Sequence, residues 1–191
     1  IDHQRSENPV LLVDTGNFCR SVRTDKDRIE YPFFFEGMKR LGYDAVNVAE
    51  NEIRYGRDRL LDVAEEYSIP LVSANIYDKR GGSYIGRRTI VKDLGGSRTL
   101  FGRKGAVRVG IFGLTLPTFI YTIDPAVPKY YDVINPRIAA LDAVSRLKEK
   151  GCDVIIAISY QEWSNSLAFA GDIPGIDIVI NGRRSHQMTY R

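Results

Sequence analysis

The sequence predicts an α/β fold in which a mixed β-sheet core is flanked by helices. Three observations favour it: short apolar strands alternate with helical segments, a glycine-punctuated hairpin follows them, and 191 residues suffice for one buried core. The net charge of +3 is too small to indicate a nucleic-acid partner, and no apolar run approaches the length of a membrane span. We therefore expect a single domain over residues 1–191, as a piece of or processed from a longer chain, because Ile1 is not an initiator methionine.

The first half of the chain alternates strands with helices. The predicted strands are Val10–Val13, Ala45–Val48 and Leu71–Ala74, each of them short and apolar. The predicted helices are Pro32–Leu41, with Phe34, Phe35, Met38 and Leu41 on its apolar face, and Leu60–Tyr67, with Leu60, Leu61 and Ala64 on one face. This alternation favours parallel strands that are joined by right-handed crossovers.

The second half begins with a predicted β-hairpin. Its two extended runs lie around Arg88–Lys92 and Ala106–Ile111, within a basic stretch, Lys79–Arg108, that we interpret as a solvated hairpin. Residues 114–136 hold four of the eight prolines and predict a long ordered loop. The remaining predicted elements are a helix at Ile138–Lys148, with Ile138, Leu141, Val144 and Leu147 on one face, and strands at Asp153–Ser159 and Ile176–Ile180.

The two cysteines are predicted to stay unpaired. Cys152 opens a strand whereas Cys19 follows one, which places them at opposite ends of a parallel sheet, too far apart for a disulfide. Cys19 points toward the carboxyl ends of the strands. It is interpreted as a buried structural thiol, with a metal-ligating or reactive thiolate as the alternative.

A functional site is expected where parallel strands end, because ligands of α/β sheets bind in the crevice outside the carboxyl ends. Polar residues gather after five of the apolar runs. These segments are Asp14–Cys19, Val48–Glu52, Ser73–Asn75, Ser159–Glu162 and Asn181–His186.

Six segments resemble the calcineurin-like metallophosphoesterases, in the branch of the 5′-nucleotidases and 2′,3′-cyclic phosphodiesterases. They are LLVDTGN at 11–17, MKRLGYDAVNVAENEIRYG at 38–56, PLVSANIYD at 70–78, VRVGIFGLT at 107–115, CDVIIAIS at 152–159 and GIDIVING at 175–182. The resemblance implies a metallophosphoesterase-like mixed sheet core. It also implies a dinuclear metal site, in which two divalent ions activate a water molecule and hold a phosphate oxygen.

The resemblance places the family's metal-ligating and catalytic motifs on substituted residues. The position of the metal-bridging aspartate is Asn17, and the Gly-Asn-His-Glu turn falls on Ala49, Glu50, Asn51 and Glu52. The ligand histidine after the next strand is Tyr160, and the Gly-His-x-His turn reads Gly182, Arg183, Arg184 and Ser185, with His186 one residue out of step. The family's Asp-x-His motif would lie upstream of Ile1. These replacements remove the carboxylate and imidazole donors that Mn, Zn or Fe prefer.

Two functional hypotheses follow from the resemblance. The first is a non-catalytic binding or structural module that has lost the dinuclear site and needs no cofactor. The second is an active phosphoesterase that hydrolyses nucleotides or other phosphate esters with an altered set of Mn or Zn ligands. Family resemblance alone suggests a periplasmic or extracellular location.

Three candidate binding features accompany these hypotheses. Arg183 and Arg184 are candidates for binding phosphate or another anion, with plain surface charge as the alternative. Glu50, Glu52 and His186 are candidates for a single new metal site, with solvated turn residues as the favoured alternative. The aromatic residues of the 114–136 loop, with Trp163, form a candidate surface for a protein partner, or they merely cover the sheet.

Overall fold

The computed structural model describes residues 8–19, 25–99, 102–118 and 127–183, and their elements follow the predicted alternation. In chain order they are β1 (Val13–Asp14), α1 (Asp25–Leu41), β2 (Ala45–Asn47), α2 (Glu50–Tyr55), α3 (Arg57–Glu66), β3 (Leu71–Val72), β4 (Ile76–Asp78), β5 (Ser83–Tyr84), β6 (Ile90–Thr99), β7 (Gly102–Thr115), α4 (Val127–Tyr130), β8 (Tyr131–Val133), α5 (Pro136–Glu149), β9 (Val154–Tyr160), α6 (Trp163–Asp172) and β10 (Ile178–Asn181). The α/β fold class predicted from the sequence is confirmed.

The strands form three sheets. Strands β1, β2 and β3 are parallel neighbours, and the larger sheet has the order β10-β9-β7-β6, with the first three strands parallel. The predicted hairpin is confirmed as the antiparallel pair β6–β7, which runs from Ile90 opposite Ile111 to Thr99 opposite Gly102. A third, antiparallel sheet has the order β5-β4-β8. The core is therefore a mixed sheet system, as the sequence predicts.

The β1–β3 sheet and the four-stranded sheet face each other across an apolar layer. Ala45 and Val72 of one sheet pack with Ile111, Ile156 and Ile158 of the other. Helices α1 and α3 cover the outer face of the β1–β3 sheet through residues such as Phe35 and Leu60. Helix α5 covers the outer face of the larger sheet. The result is a helix–sheet–sheet–helix arrangement in which helices cover the outer faces of the parallel strands.

The predicted apolar face of α5 is confirmed at Val144 and Leu147 and is wrong at Ile138 and Leu141. Ile138 and Leu141 are 62% and 47% exposed, whereas Leu147 is fully buried. The buried face instead consists of Pro136, Ala139, Ala140, Ala143, Val144 and Leu147. Small side chains on this face let the helix backbone lie close to β7, and the larger Ile138 and Leu141 face outward.

Several predicted boundaries also change. Helix α1 begins at Asp25 and contains Pro32, and on its predicted apolar face Phe35 and Met38 are buried while Phe34 and Leu41 are 42% exposed. Helices α2 and α6 were not predicted. The predicted long loop contains the end of β7, the short helix α4 and strand β8, and its residues 119–126 lie outside the described residues.

Candidate functional site at the strand ends

The predicted meeting of the strand ends is observed between β1 and β9. Asn17 follows β1 and Tyr160 ends β9, and the side-chain Nδ2 of Asn17 donates a 2.6 Å hydrogen bond to the Tyr160 hydroxyl. The two residues are 143 positions apart in the sequence. The fold therefore joins two positions that the family resemblance assigns to metal ligands.

A tight turn presents Asn17 to the crevice. Gly16 and Asn17 both have positive φ, 93° and 66°, which glycine and asparagine tolerate better than other residues. The Gly16 N–H donates to Asp14 Oδ1 at 2.7 Å and closes the turn. A Cβ on Gly16 would lie 3.0 Å from both Ala49 Cβ and Asn47 O, so the turn needs glycine at this position.

The buried Glu52 carboxylate accepts backbone hydrogen bonds from the same turn. Its carboxylate accepts N–H groups from Asn17 at 2.8 Å, Cys19 at 2.9 Å and Ala49 at 2.9 Å. The side chain is fully buried, so the interpretation of Glu52 as a solvated turn residue is wrong. Burial raises the pKa of Glu52 to about 7, against the lowering effect of the N–H donors. A metal ion at Glu52 would have to compete with three backbone hydrogen bonds.

The charged residues of the crevice are paired with one another. Glu50 accepts from Arg54 at 2.8 Å, one helical turn later in α2. Arg183 lies 3.0 Å from Glu162, and its guanidinium carbon lies 5.9 Å from the centre of the Tyr160 ring. Arg183 is therefore a crevice residue rather than an isolated surface charge.

Three further asparagines connect the strand ends. Asn47 Nδ2 donates to the carbonyl groups of Thr15 and Leu114, which joins the β1–β3 sheet to the four-stranded sheet. Asn75 exchanges hydrogen bonds with the backbone of Thr115. Asn181 donates to Gln161 O and Ser166 Oγ. These contacts connect the loops around the crevice.

Burial keeps two nearby groups protonated. Burial raises the pKa of the Tyr160 phenol, while the Asn17 hydrogen bond and Arg183 lower it by less. Burial, together with the Glu52 charge, raises the pKa of the Cys19 thiol far above its usual range. Cys19 is 1% exposed and both cysteines are free, which confirms the buried thiol and the absence of a disulfide between them.

The donor set of the described crevice does not fit the family's pair of divalent ions. The one atom of the Asn17 side chain that could bind a metal ion, Oδ1, accepts the Asn51 N–H at 3.1 Å, and its Nδ2 donates to the Tyr160 hydroxyl. An amide and a neutral phenol also supply no negative charge to hold two dications together. Within the described residues, no group of three or more His, Cys, Asp and Glu side chains is arranged to hold a metal ion.

The predicted site residues are only partly brought together. Asn17, Asn51, Glu52 and Tyr160 form one connected network, in which the Asn51 N–H donates to Asn17 Oδ1 at 3.1 Å. Glu50 and Arg183 lie at its rim in ion pairs. Three further predicted residues, Arg184, Ser185 and His186, lie outside the described residues.

Sequence reasoning missed the partners of these residues. Arg54 was recognisable from its spacing to Glu50, because residues four apart in a helix face each other. Glu162 and Asn47 had no such signal, since their partners are distant in sequence or belong to another sheet.

Comparison with known proteins gives consistent relatives. The chain is 26% identical to a 5′-nucleotidase of Vibrio parahaemolyticus over 94% of this chain and 32% of that protein. It is 24% identical to the trifunctional nucleotide phosphoesterase protein YfkN of Bacillus subtilis over 96% of this chain and 14% of that protein. No family model matches the sequence. The chain thus spans about a third of the length of the curated 5′-nucleotidases it matches.

Solved structures agree with these relatives. The crystal structure of the calcineurin-like phosphoesterase YfkN from Bacillus subtilis superposes with a TM-score of 0.75 at 25% identity, over 95% of this chain and 60% of that chain. A 5′-nucleotidase precursor from Thermus thermophilus gives a TM-score of 0.77 at 24% identity, over 95% of this chain and 34% of that chain. These comparisons support the resemblance of the chain to the calcineurin-like phosphoesterases, in the branch that contains the 5′-nucleotidases and the 2′,3′-cyclic phosphodiesterases.

Proposed function

We propose that this chain is a 5′-nucleotidase-like phosphoesterase domain that has lost the dinuclear metal site and acts as a non-catalytic binding or structural module. The observation that carries the proposal is the direct hydrogen bond between Asn17 and Tyr160. It joins two family ligand positions through neutral groups and occupies the space between them. Asn51, at the position of the catalytic histidine, has an amide side chain that cannot act as a general acid at neutral pH.

Metal content per chain tests the proposal. The protein is purified with Mn and Zn supplied, dialysed to remove weakly bound ions, and measured by elemental analysis beside a 5′-nucleotidase relative treated in the same way. We expect no retained metal in this chain, because the amide and phenol bind divalent ions weakly. Two ions per chain would contradict the proposal.

The alternative function is an active phosphoesterase with an altered Mn or Zn site, and the similarity to curated 5′-nucleotidases favours it. Its ligand candidates are Glu50, Glu52 and His186. Release of phosphate from p-nitrophenyl phosphate and from 5′-AMP, measured with each metal supplied, discriminates the two functions. Turnover that chelation with EDTA abolishes would support the enzyme, whereas the binding module predicts a rate equal to that of the heat-inactivated protein.

A protein partner at the 114–136 segment is part of the same proposal. Tyr130 is 41% exposed beside the Arg80 guanidinium, whereas Tyr131 is only 5% exposed and its hydroxyl accepts a hydrogen bond from Arg80. Tyr130 is therefore the residue to substitute. Tyr130→Ala is expected to reduce recovery of a complex, and recovery equal to that of the native chain would count against this surface.

The proposed location is periplasmic or extracellular. Its support is the similarity to a protein named as a 5′-nucleotidase precursor. Among the described residues, no helix has both the length and the apolar character needed to cross a membrane. Fractionation of cells that express the complete reading frame, followed by immunodetection, tests the location.

A further inference from the structure

A cleft of about 330 Å³ lies between the first turn of α5 and one side of α6. Its floor includes the buried side chains of Pro136 and Phe169, and its rim carries the exposed pair Arg137 and Asp172. This volume is within the range of sites that bind small molecules. Among the described residues that line the cleft, none belongs to the hydrogen-bond network of Asn17, so the cleft is separate from the crevice described above.

The two charged residues of the rim stand at the unfavourable ends of their helices. Arg137 is the second residue of α5, where the helix dipole is positive, and Asp172 is the last residue of α6, where the dipole is negative. Their ion pair offsets little of this cost, because Arg137 Nη1 lies 3.6 Å from Asp172 Oδ2 and the side chains are 54% and 61% exposed. Arg137 Nη2 also donates to the Asp172 carbonyl oxygen, at a long 3.5 Å. Folding stability therefore does not account for this placement of charge.

The cleft consequently has a positive end and a negative end. Arg137 and the N-terminus of α5 form the positive end, which favours a carboxylate, and Asp172 and the C-terminus of α6 form the negative end, which favours an ammonium group. Because the two side chains are only 3.6 Å apart, a single small ligand that carries both groups on one carbon atom can contact both. An α-amino acid has this arrangement of charges.

Gln161 adds a buried polar group to the lining of the cleft. Its side chain is 1% exposed, and its Nε2 donates to Ser159 Oγ at 3.2 Å, whereas its Oε1 has no hydrogen-bond partner among the described residues. If the amide is turned the other way, the atom without a partner is the nitrogen, so one polar atom is left over in either orientation. A buried polar atom is costly without a partner, so this position favours a ligand side chain with an amide or a hydroxyl group.

We infer that the cleft between α5 and α6 binds a free α-amino acid with an uncharged polar side chain. Its carboxylate pairs with Arg137, its ammonium group pairs with Asp172, and its side chain lies on Pro136 and Phe169 with its polar end at Gln161. This inference goes beyond the proposed function and holds whether or not the crevice binds metal.

Calorimetric titration tests the inference with ligands that lack one charged group at a time. L-glutamine, L-leucine, N-acetyl-L-glutamine and L-glutaminamide are titrated separately into the native chain, and L-glutamine is also titrated into Arg137→Gln and Asp172→Asn. The matched controls are Arg40→Gln and Glu36→Gln, which remove the charges of an exposed ion pair in α1. Circular dichroism spectra confirm that each variant is folded.

We expect L-glutamine to bind the native chain and both controls equally. Removal of either charge, from the ligand or from the protein, should weaken binding about tenfold or more, as loss of a charge-assisted hydrogen bond implies. L-leucine should bind more weakly than L-glutamine, because it leaves the Gln161 amide without a partner.

Absence of L-glutamine binding would overturn the inference, as would equal binding of the two analogues or equal binding by the two cleft variants. Binding of L-leucine as tight as that of L-glutamine would overturn the assignment of a polar side chain. Thermal unfolding separates a binding role from a structural one: Arg137→Gln and Asp172→Asn should unfold at or above the Tm of the native chain, since each removes a charge that its helix end disfavours. A lower Tm in both variants would make the ion pair structural and contradict the inference.

Discussion

Glu52 connects three separate backbone segments through one buried carboxylate. Its oxygens accept from the turn after β1 at Asn17 and Cys19 and from Ala49 at the start of α2. This reach from the third residue of a helix back to the residue before it is half of a capping box. The same residue thus starts α2 and holds the turn that presents Asn17.

The stability of the fold should fall with rising pH through the Glu52 titration. The pKa of Glu52 in the folded state is raised to about 7 from 4.5, so the folded state binds more protons than the unfolded state between these pH values. The free energy of unfolding therefore falls by up to about 3 kcal/mol as the pH rises from 4.5 through 7. Urea unfolding of the native chain and of Glu52→Gln between pH 4.5 and pH 8 measures the difference in slope. Glu66→Gln, an exposed site, is the control. Parallel pH profiles for the native chain and Glu52→Gln would contradict this account.

Gly113 is required because an inter-sheet contact occupies the space of a side chain. A Cβ at Gly113 would overlap Asn47 Oδ1 and lie 2.8 Å from the Val72 carbonyl oxygen. Gly113→Ala is expected to destabilise the fold by about 1–3 kcal/mol through overpacking. Thermal and urea unfolding measure the loss, and a stability equal to that of the native chain would show that the sheets can separate locally without cost.

Gly37, within α1, has open space where a side chain would lie, in contrast to Gly113. A Cβ at Gly37 would meet nothing within 4 Å. Gly37→Ala should therefore stabilise the chain by about 0.5–1 kcal/mol, because glycine in a helix interior has more backbone freedom to lose on folding. Urea unfolding checks the sign. A destabilised variant would mean that this face of α1 is more closely packed than the structure indicates.

Helix α5 is oriented by its small side chains and by one large one. Leu147 is fully buried against Gly110 of β7, where an added Cβ would lie 2.7 Å from Leu147 Cδ2. Leu147→Ala is expected to cost about 2–5 kcal/mol, whereas Leu141→Ala, at 47% exposure, should cost less than about 1 kcal/mol. Free energies of unfolding from urea titrations test the pair. Equal losses would support the apolar face predicted from the sequence instead of the observed one.

Side-chain hydrogen bonds connect the strands and loops at the edge of the core where the crevice lies. Asn47 joins the β1–β3 sheet to the four-stranded sheet, Asn75 connects β7 to the segment after β3, and Asn17 donates to Tyr160. Each contact connects loops that are far apart in the chain, so the crevice is organised by protein groups.

The proposed loss of the metal site predicts that thermal unfolding is insensitive to chelation. We expect the Tm of the native chain to change by less than about 1 °C when EDTA replaces Mn or Zn in the buffer, since only an ion that binds the folded state preferentially raises stability. Calorimetric scans at matched pH measure the Tm in each buffer. A large, concentration-dependent rise of the Tm with Mn would reveal a folded-state metal site.

The sequence by itself determined the α/β class, the order of most strands and helices, the β6–β7 hairpin and the edge of the sheet where polar residues gather. These features follow from local periodicity and turn residues, which act over a few positions. The six segments of family resemblance located Asn17, Asn51 and Tyr160 as site positions before any contact between them was visible.

Only the tertiary structure decided how those positions meet. The Asn17–Tyr160 hydrogen bond spans 143 positions and the Glu52 contact with Asn17 spans 35, distances at which no local pattern operates. The sequence placed Val144 and Leu147 of α5 correctly but put Ile138 and Leu141 on the buried face, because their helical spacing is as regular as that of Ala139, Ala140 and Ala143. The choice between the two faces is made by the room beside Gly110, since close packing of a helix on a strand depends on the shape of both surfaces.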